Sequence, residues 1–312
     1  MPKKFDAGRF VWLNGTLTET DPRRAIALPA LSQALDYARV GISGIRVTPH
    51  FQDPNTLLIF SLYEHLVRIE DTCKRLGMYP EFQTGELFTA VLDVVKANAA
   101  ILANGGYLRA LIYDDRQVIA PQPEGPAQVA IYAAPFGEYL AEGDFRVTFD
   151  EILRTGELGR AKAAANYVRL SAAQERGREL KMEDVIGVTI GRLGQLILGE
   201  GTTSSLFICL RGRIYAPPLD AGVLAGITRM RVLQLARDMG YPAYEMDVPI
   251  SWIPLAEEMF LTGTASYVAP ITHFGRHRLE TAVGEKLNQR LRAVMRGEIE
   301  KYSSWNTPVK IA

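Results

Sequence analysis

The stretch DVIGVTIGRLGQLILGEGTTSSLFICL, residues 184–210, decides the fold class. It holds three strand-like runs, Asp184–Ile190, Gln195–Leu198 and Ser205–Leu210, parted only by glycines and short polar residues. Runs so closely spaced leave no room for helices between them and read as a meandering sheet. The regular strand–helix alternation of a doubly wound sheet is therefore excluded, and the class is α+β.

Working outward, Phe145–Phe149 reads as a further strand and a helix follows Asn166. Downstream, helices are predicted to begin at Thr228 and at Pro254, with a last one from about Leu279 to Arg296. The N-terminal half is mixed as well. Phe10–Leu13 enters a hairpin at Asn14-Gly15, where Asn-Gly favours positive φ. Leu57–Phe60 is a short buried strand, and Leu62, Leu66, Ile69, Cys73 and Leu76 line one face of a helix that stops at Gly77. A helix over about Gly85–Ala100 and strands at Tyr107–Tyr113 and Gln128–Ala134 follow. The run Pro135-Phe136-Gly137-Glu138-Tyr139-Leu140 marks a boundary. The expected organisation is a small α/β domain over residues 1–133, an interdomain loop at 134–143 and a larger domain at 144–312.

The 312 residues carry 35 basic and 35 acidic side chains, so the net charge is zero. Whole-molecule attraction to nucleic acid or anionic membranes is thereby excluded. Two cysteines, Cys73 and Cys209, imply no disulfide framework. The opening Met1-Pro2-Lys3-Lys4-Phe5-Asp6 lacks the apolar core of a signal peptide, and no apolar run approaches bilayer length. A cytoplasmic protein is expected.

Three small-residue turns could hold an anion. Gly226-Ile227-Thr228-Arg229 opens an apolar-periodic helix, where Thr228 is expected as N-cap and unpaired backbone N–H groups favour phosphate. Gly263-Thr264-Ala265-Ser266 and Glu200-Gly201-Thr202-Thr203-Ser204-Ser205 have similar character. Each alone is an ordinary cap; three in one half of a chain suggest a phosphorylated cofactor. Lys162 sits among small residues, Arg160-Ala161-Lys162-Ala163-Ala164-Ala165, which would let a planar ligand approach a nucleophilic amine. Read by composition alone, it is an exposed lysine at a helix start. His273 and His277, four apart, could meet on a helix, but no matching acid or thiol accompanies them and no metal site is expected.

Taken in order, Glu64-His65-Leu66-Val67-Arg68, Tyr107-Leu108-Arg109, Lys162 with Asn166-Tyr167, Glu200-Gly201, Gly226-Ile227-Thr228-Arg229 and Gly263-Thr264-Ala265 resemble the branched-chain aminotransferases. These are pyridoxal 5'-phosphate enzymes of fold type IV, the aminodeoxychorismate lyase/D-amino-acid aminotransferase-like fold. The resemblance runs nearly end to end, from Trp12-Leu13-Asn14-Gly15 to the last helix. It implies a small α/β N-terminal domain, a larger pseudo-barrel C-terminal domain and a homodimer or higher homo-oligomer.

The resemblance also implies site residues. Lys162 would be the Schiff-base lysine and the proton shuttle. Glu200 would face the pyridine nitrogen and keep it protonated. Tyr167 would bond the cofactor's phenolic oxygen, while Arg68, Ile227, Thr228 and Thr264 would hold its phosphate. Tyr107 and Arg109, two apart on a strand, point to one face. With Tyr37, Phe136, Tyr139 and Ala265 they would receive the amino acid and 2-oxo acid substrates, Tyr139 reaching into the neighbouring subunit. The implied activity moves an amino group from a hydrophobic, branched-chain L-amino acid to 2-oxoglutarate.

This sequence departs from the family pattern in places. Ile42-Ser43-Gly44-Ile45-Arg46 replaces Phe-Glu-Gly-Ile-Arg, Ala164-Ala165 replaces a glycine pair, Ser204-Ser205 replaces Glu-Asn, and Tyr267 replaces an acid. These changes spare the chemistry and alter its surroundings. A D-amino-acid or (R)-amine aminotransferase, or a specialised secondary-metabolism aminotransferase of the same fold, is the alternative; a carbon–carbon lyase or a cofactor-binding protein without turnover ranks below.

Overall fold

The computed structural model describes residues 8–21, 25–121, 124–137, 144–150 and 156–311. The chain divides into two compact units, the first made of Met1–Gly137, Ala161–Ala165 and Ala293–Ala312, the second of Glu138–Arg160 and Asn166–Arg292. The cut is not a single one. A five-residue piece carrying Lys162, and the last twenty residues, group with the N-terminal half.

The first unit is built on strands β1 (Phe10–Leu13), β2 (Thr16–Glu19), β3 (Val40–Pro49), β4 (Thr56–Phe60), β5 (Met78–Pro80), β6 (Gly106–Tyr113) and β7 (Gly125–Pro135), with helices α1 (Leu62–Arg75) and α2 (Thr84–Ala97). The chain's last strand, Asn306–Lys310, pairs antiparallel with β4 along its whole length. From that strand the sheet runs β4, β3, β6, β7, β1, β2, and β5 joins β7. Residues of odd number in β3 and even number in β6 point into one core: Ile45, Val47, Leu108, Ala110 and Ile112 are 3% exposed or less. The apolar stripe of α1 (Leu62, Leu66, Ile69, Cys73) packs on this face, together with Leu87, Val91, Val94 and Val95 of α2. Burying each large aliphatic chain contributes roughly 1.5–3 kcal/mol, and this face fixes the register of β3 against β6.

The second unit comprises β8 (Arg146–Asp150), α3 (whose helix begins at Ala164 and ends at Glu179), β9 (Asp184–Ile190), β10 (Leu196–Gly201), β11 (Ser205–Leu210), β12 (Arg213–Ala216), α4 (Ile227–Asp238), β13 (Ala243–Glu245), β14 (Glu258–Gly263), β15 (Tyr267–Ile271) and the two-residue strands β16 (His273–Phe274) and β17 (His277–Arg278). The sheet order is β13, β12, β11, β10, β9, β8, β16, β17, with β14 pairing β11 and β15. The meander at 184–210 is the pair of antiparallel steps β9–β10 and β10–β11. Its core holds Ile186, Leu198, Leu206, Ile208, Met259 and Leu261.

The helix expected from Pro254 is absent. Pro254 lies near the end of a 3-10 turn, Ile250–Leu255, and Glu258–Gly263 is a central strand with five of its six residues buried. A proline removes one donor, and the apolar run that follows is short and buried on both faces, which suits a strand. His273 and His277 sit on opposed two-residue strands and not on a helix. The last helix, α5 (Ala282–Met295), begins three residues later than Leu279. Its start is set by the buried Glu258 carboxylate, which accepts from Val283 N–H (2.9 Å) and Gly284 N–H (3.0 Å). Among the described residues no helix is long and apolar enough to cross a membrane, and no cluster of three metal-ligating side chains occurs.

Candidate active site

In the first unit the opposite face of β3 and β6 carries the polar and aromatic residues. The register sets Gly44 against Arg109 and Arg46 against Tyr107, and Arg109 in turn faces Tyr132 of β7. Directly paired residues share a face. Gly44 is required there: a Cβ on it would lie 1.6 Å from Tyr107 Oη. The Arg109 guanidinium lies 5.4 Å from the Tyr107 ring centre. Arg46, 2% exposed, donates from Nη1 to the Phe136 carbonyl at 2.9 Å and lies 4.9 Å from the Phe136 ring centre. That ring in turn contacts Tyr107 at 5.3 Å.

Lys162 reaches this unit by its backbone. Strand β4 pairs only with Val47–Pro49 of β3, so the edge of Gly41 and Ile42 is open to another partner. The lysine segment takes it. Ile42 N–H donates to the Lys162 carbonyl at 2.9 Å, Ala163 forms a bridge with Gly41, and Lys162 N–H donates to Thr72 Oγ1 of α1 at 3.1 Å. Two backbone bonds on one residue fix where its side chain departs. One turn earlier on α1, Arg68 is 8% exposed; its Nη2 donates to His65 Nδ1 at 3.4 Å. Ser43 Oγ approaches the same nitrogen at 3.2 Å. A guanidinium can only donate, so Nδ1 is the acceptor and the neutral ring carries its proton on Nε2.

Tyr37 stands on neither β3 nor β6. It ends the short helix Gln33–Asp36, and its hydroxyl accepts from Ala120 N–H at 2.7 Å. Tyr139 lies outside the described residues.

In the second unit the candidates stand on turns and element ends. Glu200, 5% exposed, pairs across β10–β11 with Ser205, and its carboxylate accepts from Leu224 N–H at 3.2 and 3.3 Å. Helix α4 is capped by Gly226, so Thr228 is its second residue and not the N-cap. A Cβ on Gly226 would meet Ser205 Oγ at 2.7 Å, so a larger residue there requires the serine hydroxyl to turn aside. Thr228 is 3% exposed and its hydroxyl has no hydrogen-bond partner among the described residues. A buried unpaired hydroxyl costs roughly 1–3 kcal/mol, and beside free N–H groups at a helix start it is a donor matched to an anion. Thr264 and Ala265 occupy the turn from β14 to β15, which closes with Tyr267 at φ +57°. The Arg292 guanidinium sits 4.0 Å over the Tyr267 ring. Tyr167, in the first turn of α3, packs on Leu170, Ala173 and Val185. Thr202 is turned away from anion binding, because its hydroxyl donates to buried Asp184 at 2.7 Å.

Tyr132 and Ser43 are not singled out by the sequence; Arg46 reads evenly as structural or ligand-facing, and His65 is expected to pack or bond beside Arg68, as it does. The β3–β6–β7 register that assembles them is absent from any local pattern, although Ile42–Arg46 carries the parity that would place Arg46 with Gly44.

The first unit thus holds an amine on a fixed backbone and a buried arginine, and the second a buried carboxylate and a helix start with an unpaired hydroxyl. The chain matches the model of the family described as amino-transferase class IV over residues 54–274, and it belongs to that family. Among curated relatives, a probable branched-chain-amino-acid aminotransferase of Synechocystis is 27% identical over 280 residues, 88% of this chain and 89% of its own length. The branched-chain aminotransferase of Thermoproteus uzoniensis, solved with norvaline, superposes with a TM-score of 0.88 at 30% identity, covering 96% of this chain and 99% of that one. A branched-chain amino acid aminotransferase from T.th., complexed with N-(5'-phosphopyridoxyl)-L-glutamate, gives a TM-score of 0.85 at 26% identity and covers 97% and 99%. These superpositions bear out the fold expected from the resemblance.

Proposed function

We propose that this chain is a pyridoxal-phosphate-dependent aminotransferase that moves the amino group of a hydrophobic, branched-chain L-amino acid to 2-oxoglutarate. The carrying observation is Lys162, an amine whose backbone is bonded on both sides, into the edge of β3 and onto α1. The names of the relatives and the ligand in one of their structures support the same cofactor and substrate class.

The residues present fit the group. The N–H groups at the start of α4 (Ile227, Thr228), the unpaired Thr228 hydroxyl, Thr264 and Arg68 would hold its phosphate. Glu200 would face the ring nitrogen and Tyr167 the phenolic oxygen. When bound, the cofactor supplies a carbonyl for the amino group and an electron-poor ring that draws on the electrons of the Cα–H bond. Lys162 Nζ would take the Cα proton and deliver it to the cofactor carbon beyond the transferred nitrogen, work of roughly 10²–10⁴-fold for a well-placed base. Glu200 keeps a proton on the ring nitrogen. Tyr107, Arg109, Phe136, Ala265, Tyr37 and Tyr139 would orient substrate, Arg109 taking the distal carboxylate of the dicarboxylic partner.

Both cysteines are buried and free, and burial pushes the Cys73 thiol up to about 12, which suits inert thiols of a cytoplasmic protein. A homodimer accords with a pocket of the kind that a neighbouring subunit's tyrosine completes.

The test is the visible spectrum of purified protein with pyridoxal phosphate, before and after L-leucine and then D-alanine. Wild type should show a bound-cofactor band that L-leucine converts to the amine form, and Lys162→Ala should lack that band. Conversion by D-alanine alone would move the enzyme to D-amino acids. Failure to bind the cofactor at all would overturn the assignment.

A further inference from the structure

In the second unit a cavity of about 30 Å³ lies between the turn at Thr202–Ser204 and the turn at Thr264–Ser266. That volume accommodates one or two water-sized particles. Among its lining residues are Asp184, Thr203, Ser204 and Ser266.

Asp184 is 7% exposed and opens β9. All three of its hydrogen bonds fall on one oxygen: Val185 N–H at 2.8 Å, Thr202 N–H at 3.2 Å and Thr202 Oγ1 at 2.7 Å reach Oδ1. The other oxygen, Oδ2, accepts from no described residue, and no described basic side chain pairs with the carboxylate. Burial pushes the Asp184 carboxyl up, a cost that a neighbouring cation relieves. Ser266 is 8% exposed and its hydroxyl has no hydrogen-bond partner among the described residues. Glycines leave the space. A Cβ on Gly201 would lie 2.9 Å from Asp184 Oδ2, and one on Gly263 would lie 3.0 Å from Ser266 Oγ and 3.4 Å from Ser204 Oγ. Thus one free carboxylate oxygen and two hydroxyls line a single small void.

We propose that this cavity binds a partly dehydrated monovalent cation, sodium or potassium, through Asp184 Oδ2 and the hydroxyls of Ser204 and Ser266, with water completing the shell. The donors are all hard oxygens, the set that alkali and alkaline-earth cations take. One carboxylate balances one positive charge; a divalent ion would leave an uncompensated charge in a buried site, which is costly. The other titratable group facing the void is Glu183, which is exposed and whose carboxylate accepts from Arg146 N–H at 2.7 Å. The ion would tie the Thr202–Ser204 turn to the Thr264–Ser266 turn. Its consequence for catalysis rests on the proposed function, since Thr264 and Ala265 are the cofactor and substrate contacts proposed above; its binding does not.

The experiment is thermal unfolding of the holoenzyme and of the cofactor-free protein in potassium, sodium and tetramethylammonium chloride at equal ionic strength. Tetramethylammonium is too large for the void. Potassium or sodium should raise the midpoint by about 3–5 °C over tetramethylammonium, by mass action on the folded state. Asp184→Asn should abolish that difference. Ser266→Ala, which removes one hydroxyl from a turn and leaves the carboxylate in place, should reduce it and serves as the comparison where Asp184→Asn does not fold. Crystals soaked in thallous salt should show an anomalous peak in the cavity. Equal midpoints in all three salts, an equal salt response in wild type and both variants, or an empty cavity after the soak would each overturn the proposal. A salt response without transamination would sink the proposed function and leave the ion site standing.

Discussion

The two units carry their candidate residues in opposite ways. In the first, they stand on regular elements: Tyr107 and Arg109 on β6, Arg46 on β3, Arg68 on α1, each held by register or by a partner such as His65 or the Phe136 carbonyl. In the second, they stand at turns and helix starts, and three hydroxyls, those of Thr228, Thr262 and Ser266, are buried without protein partners among the described residues; a buried atom of the first unit, Asn306 Oδ1, lacks one as well. Strands give position through packing that is settled before any ligand arrives. Turns that hold buried, unpaired hydroxyls carry a standing cost that a ligand can relieve. The first unit holds its candidates by packing and partners; the second holds hydroxyls that a ligand would satisfy.

A paired substitution tests this contrast and has the largest expected effect. Arg68→Ala removes the cation proposed to hold the phosphate and should weaken pyridoxal phosphate binding by about 100-fold, in line with about 1.5–3 kcal/mol for charge-assisted bonds. Thr228→Val keeps the shape of a residue whose hydroxyl is already unpaired. It should leave the cofactor-free protein as stable as wild type or more so, and still weaken cofactor binding by about 10-fold. Equilibrium dialysis and unfolding of the cofactor-free forms read both quantities. If Thr228→Val lowers the stability of the cofactor-free protein as much as its affinity, the idea of a turn prepared for a ligand is wrong.

A smaller effect is expected at Gly44, on the regular side of the comparison. A methyl group there would collide with Tyr107 Oη, at 1.6 Å, and the ring must swing away from β3. Overpacking of this kind costs typically 1–3 kcal/mol. Gly44→Ala should therefore lower the unfolding midpoint and raise KM for the amino donor by about 10-fold, while the spectrum of bound cofactor stays unchanged. A shifted cofactor spectrum would show that the β3–β6 face also bears on Lys162, whose carbonyl accepts from Ile42 N–H of β3.

How far the sequence reveals these features follows from the range of the forces involved. The meander at 184–210 was legible because glycine and polar punctuation acts locally, and so was α1, whose apolar spacing of three and four matches its buried face. Pro254 misled because proline also begins helices, and only the burial of Glu258–Gly263 on both faces between β11 and β15 reveals a strand. Thr228 lies two positions beyond the cap of α4, because the helix already begins at Ile227 with Gly226 in the extended cap conformation. The roles of Lys162, Glu200 and Arg68 entered through family resemblance and not through pattern. The open edge of β3 that receives the Lys162 backbone is a property of how far β4 extends, and nothing near Lys162 in the chain encodes it.

The smallest expected effect lies far from either set of candidates, at the ion pair that pins the last strand. Asp53 accepts from Lys310 Nζ at 2.5 Å and from Thr56 Oγ1 at 2.6 Å. These bonds, with Asn55 N–H, lower its carboxyl to about 2. A carboxyl depressed in the folded state stabilises above its unfolded value, near 4, and that contribution is lost as the pH falls from there through about 2. The pair is solvent-exposed, so salt screens it and little stability rests on it. Asp53→Asn should lower the unfolding midpoint only slightly at neutral pH and low salt, and less still at pH 2 or in molar salt. A large loss at neutral pH that persists in high salt would mean that the pairing of Asn306–Lys310 with β4 depends on this side chain, and not on the apolar burial of Val309, which is 3% exposed. The regular half of the molecule would then lean on a surface charge, as the turn-built half leans on its ligands.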